Sequence, residues 1–308
     1  MNTHTVLNAV PRLSLPTAGV LPERAGYFVA GAGTPVVMLH SSLSSKAQWT
    51  ALAERLAPRF RVIGIDLCGY GDNAMPAARE SFAVDDEVRL VAEHLDRLVE
   101  PHIRVHMVGH SYGGSVALRF AERSRGRVAS LSLYEPVAFG MLDDDDAALA
   151  DIKRIAECVP RLIASGLPLH AAQAFVDFWS GQGSFARLPQ PAQIRIARSV
   201  GKIPLDFQAA SSWPLGPNDL RSIAAPVLLL TGNRSPAVAT EIVARLTRSL
   251  PKRYVGRIDA GHMGPVTDPH LVNPWIEAFV DMCAERDAAP AAAPRRIAVP
   301  APMTAAAD

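Results

Sequence analysis

Residues 104–123 read RVHMVGHSYGGSVALRFAER, and the hexapeptide at their centre, Gly109-His110-Ser111-Tyr112-Gly113-Gly114, decides how the whole chain is read. Before it, Arg104 to Val108 is a short apolar run bounded by a glycine, which predicts a buried strand. After it, the segment from Ser111 to Arg123 has helical periodicity. The hexapeptide therefore matches G-x-S-x-G in the one setting that gives the pattern weight, directly between a strand and a helix. A sharp strand-to-helix turn strains the backbone at the serine and pushes its hydroxyl out over the sheet edge. Small residues two positions either side let strand and helix pass without a Cβ clash. The helix N-terminus beneath adds partial positive charge where a developing oxyanion would sit.

Outward from that turn, β-rich runs alternate with helical periods. Pro35 to His40 reads as a buried strand, and the capping-box pattern Ser45-x-x-Gln48 then opens a helix with Trp49, Leu52, Ala53 and Leu56 on one face. Arg61 to Leu67 is a strand, Val84, Val88, Val91, Leu95 and Leu98 mark an amphipathic helix, and Val128 to Tyr134 is another strand. After Glu135-Pro136 the rhythm changes: from about Val137 to Ser222 the pattern is mostly helical, without a convincing strand. Alternation resumes with Pro226 to Thr231, a helix carrying Val238, Ile242, Leu246 and Leu250, a strand over Lys252 to Ile258, and a helix striped by Leu271, Trp275, Phe279 and Cys283. Alternating β and α units require right-handed crossovers and a mostly parallel, doubly wound α/β sheet buried on both faces. The expected organisation is an extended or mobile segment over 1–22, a core over 23–136 and 223–285, a helical cap over 137–222, and a disordered Ala/Pro-rich tail over 286–308.

Composition narrows the class of function. Of 308 residues, 49% are hydrophobic and 20% charged, with a formal net charge of +1, so no strong field recruits nucleic acid or an anionic membrane. A small molecule is the default partner, and oligomeric state is left open. Three scattered cysteines, Cys68, Cys158 and Cys283, form neither a disulfide framework nor a metal-type spacing. With no apolar run long enough to span a bilayer and no signal-peptide pattern at the start, a cytoplasmic protein is expected. There is no zinc cluster, P-loop or dinucleotide fingerprint, so no cofactor or metal is implied. The run Asp143 to Asp146 reads as a solvated turn or helix start.

A serine hydroxyl is a poor nucleophile at neutral pH and needs a neighbouring base. His262, in Gly261-His262-Met263-Gly264 after the last predicted strand, is the one of nine histidines whose position brings it to the same sheet edge as Ser111. Together LHSS (39–42), DLCGYG (66–71), GHSYGG (109–114) and AGHMGP (260–265) resemble the α/β-hydrolase superfamily over roughly residues 25–285. That resemblance implies a catalytic triad in the order Ser, acid, His, and an oxyanion hole of two backbone N–H groups. By position these belong to Ser42 and Tyr112, with Ser41 standing where relatives usually have glycine. Relatives usually carry the acid after the penultimate strand, but here Gly232-Asn233-Arg234-Ser235 places a serine there. Some superfamily members place it one strand earlier, which points to Glu135; a Ser235-type arrangement or a missing acid are the alternatives. Asp66 and His110 are expected to hold loops. His40, Ser41, Phe175, Phe178 and Trp179 are candidates for contact with substrate, the aromatics either as an apolar roof or as core of the insertion, with Trp213. The resemblance implies a serine esterase or lactonase acting on small, mostly apolar substrates. A C–C bond hydrolase, a thioesterase, a perhydrolase or a non-catalytic ligand-binding homologue are the alternatives; dehalogenases and epoxide hydrolases use aspartate at the elbow.

Overall fold

The computed structural model describes residues 26–288, apart from 125 and 144. The expected N-terminal segment 1–22 lies outside the described residues, as does the tail beyond 288. Seven strands form one sheet: β1 (Tyr27–Ala30), β2 (Pro35–Leu39), β3 (Arg61–Ile65), β4 (Val105–His110), β5 (Val128–Tyr134), β6 (Val227–Gly232) and β7 (Arg253–Ile258). Their order is β1-β3-β2-β4-β5-β6-β7, and only β1 runs antiparallel to its neighbour. Every residue of β2, β4, β5 and β6 is buried, which is why these segments read as mostly apolar runs with small or neutral polar residues between. β1 is not expected from sequence; it is short, only half-buried, and pairs Tyr27 with Ile65 and Ala30 with Val62.

Helices cover both faces. On one face α1 (Thr50–Leu56) and the long α11 (Pro269–Ala288) bury Leu52, Leu56, Ile276 and Phe279 against β2, β3 and β6. On the other, α2 (Val84–Leu98), α3 (Tyr112–Arg123) and α9 (Ala237–Ser249) bury Val91, Leu95, Val116, Ile242 and Leu246. At about 1.5–3 kcal/mol for each fully buried aliphatic side chain, either layer supplies far more than a charge placed at Val91 or Ile276 would leave intact. α11 continues to Ala288, so residues 286–288 belong to its last turn rather than to the tail.

Between β5 and β6 the described residues contain no strand. They form α4 (Ala147–Ala164), α5 (Pro168–Ser180), α6 (Gln190–Ser199), α7 (Ile203–Ser212) and α8 (Pro217–Arg221). A short helix, α10 (Gly264–Thr267), follows the His262 loop. One local expectation fails. Ser45 makes no side-chain cap, and residues 46–49 form a 3-10 turn before α1. The Gln48 side chain is drawn away by partners in the site.

Candidate active site

The carboxyl ends of β2, β4, β5 and β6 and the loop after β7 converge on one point. Ser111 sits at the β4–α3 turn with φ 53° and ψ −119°, a conformation that costs a non-glycine residue about 1–3 kcal/mol. Local packing enforces it: a Cβ on Gly109 would lie 2.6 Å from the Gly113 carbonyl oxygen, and one on Gly113 only 2.3 Å from the His40 carbonyl oxygen. Backbone bonds from Ser111 N–H to Tyr134 O (3.0 Å) and from Val137 N–H to Ser111 O (3.3 Å) hold the turn from both sides.

His262 Nε2 lies 2.9 Å from Ser111 Oγ, and His262 Nδ1 lies 2.7 Å from Glu135 Oε2. With a carboxylate on Nδ1, that nitrogen carries the proton and Nε2 is left to accept from the serine hydroxyl. Glu135 is fully buried and also has a left-handed backbone, φ 44°. Its other oxygen, Oε1, accepts from Thr231 Oγ1 at 2.9 Å and from Gly232 N–H at 2.7 Å. Burial alone would raise this carboxyl's pKa. The hydrogen bonds and charge of His262 and the Gly232 N–H outweigh burial and hold it below the usual carboxylate range. Ser235 lies beside this group. Its buried hydroxyl favours the Glu135 carboxylate electrostatically without reaching hydrogen-bond geometry.

A second chain of hydrogen bonds ties the two loops around the serine together. The Ser41 N–H and Oγ both donate to Gln48 Oε1 (3.1 and 2.9 Å), Gln48 Nε2 donates to His110 Nδ1 (3.1 Å), and His110 Nε2 donates to the His262 carbonyl (2.8 Å). Burial holds His110 well below the ordinary imidazole pKa, so it stays neutral and can accept at one nitrogen while donating at the other. Tyr134 Oη donates to Gly261 O at 2.7 Å and fixes the other side of the His262 loop. His40 braces the loop after β2, where Nδ1 donates to Ser41 O (2.7 Å) and Nε2 accepts from Leu67 N–H (3.0 Å). Burial lowers the His40 pKa to about 4. Asp66 holds the next loop through Lys46 and the N–H of Asp72.

A small, partly open cavity lies over Ser111. Ser42, Tyr112 and Asp206 supply its polar wall; Phe139, Phe175, Trp179 and Phe207 supply most of the rest. Of the residues expected to meet substrate, Phe175 and Trp179 therefore line the cavity. His40, Ser41 and Phe178 do not: the first two spend their polar atoms inside the loop, and Phe178 packs edge-on against Trp179 at 5.0 Å. Trp179 also stacks on the His262 ring, with centroids 4.2 Å apart and planes inclined by 26°. Trp213 is buried away from the cavity and carries Arg119 over its ring.

Beneath the cavity lies an ionic cluster that sequence reasoning misses. Lys202, just before α7, is fully buried and bonds Glu87 (3.0 Å) and Asp206 (2.5 Å). Asp206 Oδ2 also accepts from Ser42 Oγ and Tyr70 Oη, each at 2.5 Å. A signal is present: Glu87 interrupts the apolar face of α2, and Lys202 and Asp206 stand four apart in an otherwise apolar stretch. Among the described residues no cluster of three or more His, Cys, Asp or Glu could hold a metal ion, and no helix is long and apolar enough to cross a membrane.

Comparison with known proteins gives this arrangement a lineage, because the model of the Alpha/beta hydrolase family matches residues 36–275. The chain belongs to that family. Among curated α/β-hydrolase relatives, the "Magnesium-chelatase 30 kDa subunit" of Rhodobacter capsulatus is 30% identical over 245 residues, 75% of this chain and 81% of that protein. A "Putative 2-succinyl-6-hydroxy-2,4-cyclohexadiene-1-carboxylate synthase" of Bacillus subtilis is 28% identical and covers 81% of this chain and 91% of its own. Among solved α/β-hydrolase structures, a thermophilic esterase from Thermogutta terrifontis superposes with a TM-score of 0.66 at 25% identity, covering 83% of this chain and 93% of the esterase.

Proposed function

We propose that the protein is a serine hydrolase that cleaves a small, mostly apolar ester, lactone or related acyl substrate through an acyl-enzyme. The observation that carries the reading is the continuous hydrogen-bonded chain from Ser111 through His262 to Glu135. Ser111 Oγ attacks the substrate carbonyl while its proton passes to His262 Nε2. Glu135, kept ionised and pinned by Thr231 and Gly232, orients the ring and stabilises the imidazolium. The oxyanion is held by the backbone N–H groups of Ser42 and Tyr112, two residues that border the cavity. His262 then returns the proton to the leaving oxygen, and a water activated by the same imidazole releases the acid and restores Ser111. Aromatic walls and a small cavity favour a compact apolar acyl group and keep bulk water out. The helices of 137–222 act as a cap over the site, since their Phe175, Trp179 and Asp206 reach it. Three free cysteines agree with a cytoplasmic location.

Replacing Ser111 by alanine should abolish hydrolysis of p-nitrophenyl esters and labelling by a fluorophosphonate while the protein melts as before. One other reading is a homologue that binds without catalysing, which Ser235 at the position where relatives usually carry the acid favours. A wild-type protein that takes no fluorophosphonate would establish that reading instead.

A further inference from the structure

The Lys202 cluster does more than join helices, because one of its members borders the cavity. Asp206 is 5% exposed, lines the same cavity as Ser111, and belongs to a helix of the insertion rather than to the sheet edge. Its acceptor capacity is nearly filled: Lys202 at Oδ1, Ser42 and Tyr70 at Oδ2, out of roughly four lone-pair sites. Ser42 spends its hydroxyl proton on Asp206, which leaves the lone pairs of Ser42 Oγ as acceptors. The other polar side chain on that wall, Tyr112, turns its hydroxyl toward Glu87, at 3.4 Å. The Lys202 ammonium is not offered to a ligand. It is tied to the two carboxylates and enclosed by the rings of Phe82 (4.4 Å), Tyr112 (5.1 Å) and Tyr70 (5.3 Å). Apart from the backbone N–H groups assigned to the oxyanion, the side-chain polarity of the cavity is therefore acceptor in kind and anionic in sign.

We propose that Asp206 is a specificity-determining residue: with Ser42 it selects acyl groups bearing a hydroxyl or amide N–H near the scissile carbonyl and rejects acyl groups bearing a carboxylate. This inference rests on the serine-hydrolase reading. A donor on the acyl chain completes the acceptor wall. A carboxylate placed there loses its hydration and meets a like charge that the protein cannot move away. An unsubstituted acyl chain falls between the two.

The test uses the full-length protein and three p-nitrophenyl esters of similar size: butyrate, 3-hydroxybutyrate and hemisuccinate. For the wild type, kcat/KM for the hydroxybutyrate should exceed that for butyrate by about tenfold, and the hemisuccinate should fall below butyrate by about a hundredfold. In Asp206→Asn both ratios should contract toward unity, by at least about tenfold for the charged ester. Because that variant leaves the buried Lys202 with Glu87 as its remaining carboxylate partner, Lys202→Met/Asp206→Leu is measured beside it, replacing the Lys202–Asp206 pair with apolar groups of similar volume. A wild type that hydrolyses the hemisuccinate as well as the butyrate overturns the inference without any variant, as do unchanged ratios in either one. Fluorophosphonate labelling separates the two levels. Labelled protein with flat selectivity overturns the role of Asp206 alone, whereas unlabelled protein overturns the hydrolase reading and this inference with it.

Discussion

Two buried carboxylates serve the surroundings of Ser111, Asp206 in the cavity wall and Glu135 behind His262, and they are held in different ways. Glu135 stands at the end of a central strand and is held by a histidine ring nitrogen, a hydroxyl and a backbone N–H. Asp206 comes from a helix of the insertion and is held by a buried lysine and two hydroxyls. On the proposed reading, the first arrangement serves a positive charge that develops on the histidine in the reaction. The second neutralises one that is always present. Damage to the first should therefore fall on rate, and damage to the second on stability and selectivity.

The largest effect should come from the sheet edge. Glu135→Gln preserves shape and can still orient the ring, yet it cannot stabilise the imidazolium, so kcat should fall by about 10³–10⁴ with little change in melting temperature. Ser235→Ala should cost less than about tenfold, because Ser235 only assists a carboxylate that three stronger partners already hold. The reverse ranking would move the acid to position 235 and undo the comparison.

On the other side, Lys202→Met should lower the stability of the folded protein by about 3–5 kcal/mol, because it leaves Asp206 and Glu87 buried without a cation. Only part of that loss should return in Lys202→Met/Asp206→Leu, which still leaves Glu87 buried without its cation. The pH dependence has a definite sign. Burial raises the Glu87 pKa above its ordinary 4.5, opposed in the wild type by Lys202. The folded state thus holds this proton more tightly than the unfolded chain, and stability falls as pH rises through the folded value. Removing Lys202 widens that gap, so the deficit of Lys202→Met should be greatest at neutral pH and shrink as pH falls toward 4.5. Denaturant melts at several pH values check it.

The contrast also explains what can be read from sequence. Strands β2 to β6 are legible because parallel strands buried on both faces leave mostly apolar runs, and Ser111 because it follows such a run directly; β7 is half-exposed, and His262 is legible by its place in the loop after that last strand. Glu135 is readable as a candidate acid by its place at a strand end; its 2.7 Å approach to His262 Nδ1 is a side-chain distance that no spacing encodes. Asp206 and Lys202 are not legible because residues on insertion helices reach the site through tertiary packing, 164 residues from Ser42 in the chain. Gln48 misleads for a related reason. Its spacing from Ser45 fits a capping box, but His110 and Ser41 offer its amide three bonds that a helix end does not.

That glutamine gives an intermediate test on the sheet-edge side. Gln48→Ala strips acceptors from the Ser41 N–H and hydroxyl and a donor from His110, all in a buried setting, which should cost about 1–3 kcal/mol of stability. If the chain from Ser41 to the His262 carbonyl also sets the distance between Ser42 and the imidazole, kcat should fall while KM for butyrate esters stays near its wild-type value. Gln48→Glu, which keeps the acceptor for Ser41 but loses the donor to His110, should recover only part of the rate.

The smallest effect concerns the point where the two sides meet. Trp179, from the insertion, lies flat on His262, from the sheet edge. An indole face attracts an imidazolium more than a neutral imidazole, by about 0.5–2 kcal/mol, so the stack should favour the state in which His262 has taken the serine proton. Replacing Trp179 in turn by Phe and by Leu keeps the roof apolar while weakening that attraction stepwise. If the stack acts on the reacting imidazole, kcat/KM should decline in the order Trp, Phe, Leu by a total of about three- to thirtyfold, with the loss in kcat. If Trp179 serves only as a wall for the acyl group, the same series should raise KM instead and leave kcat unchanged. Steady-state kinetics on one small ester separates the two outcomes, and the second would confine the insertion's influence to binding.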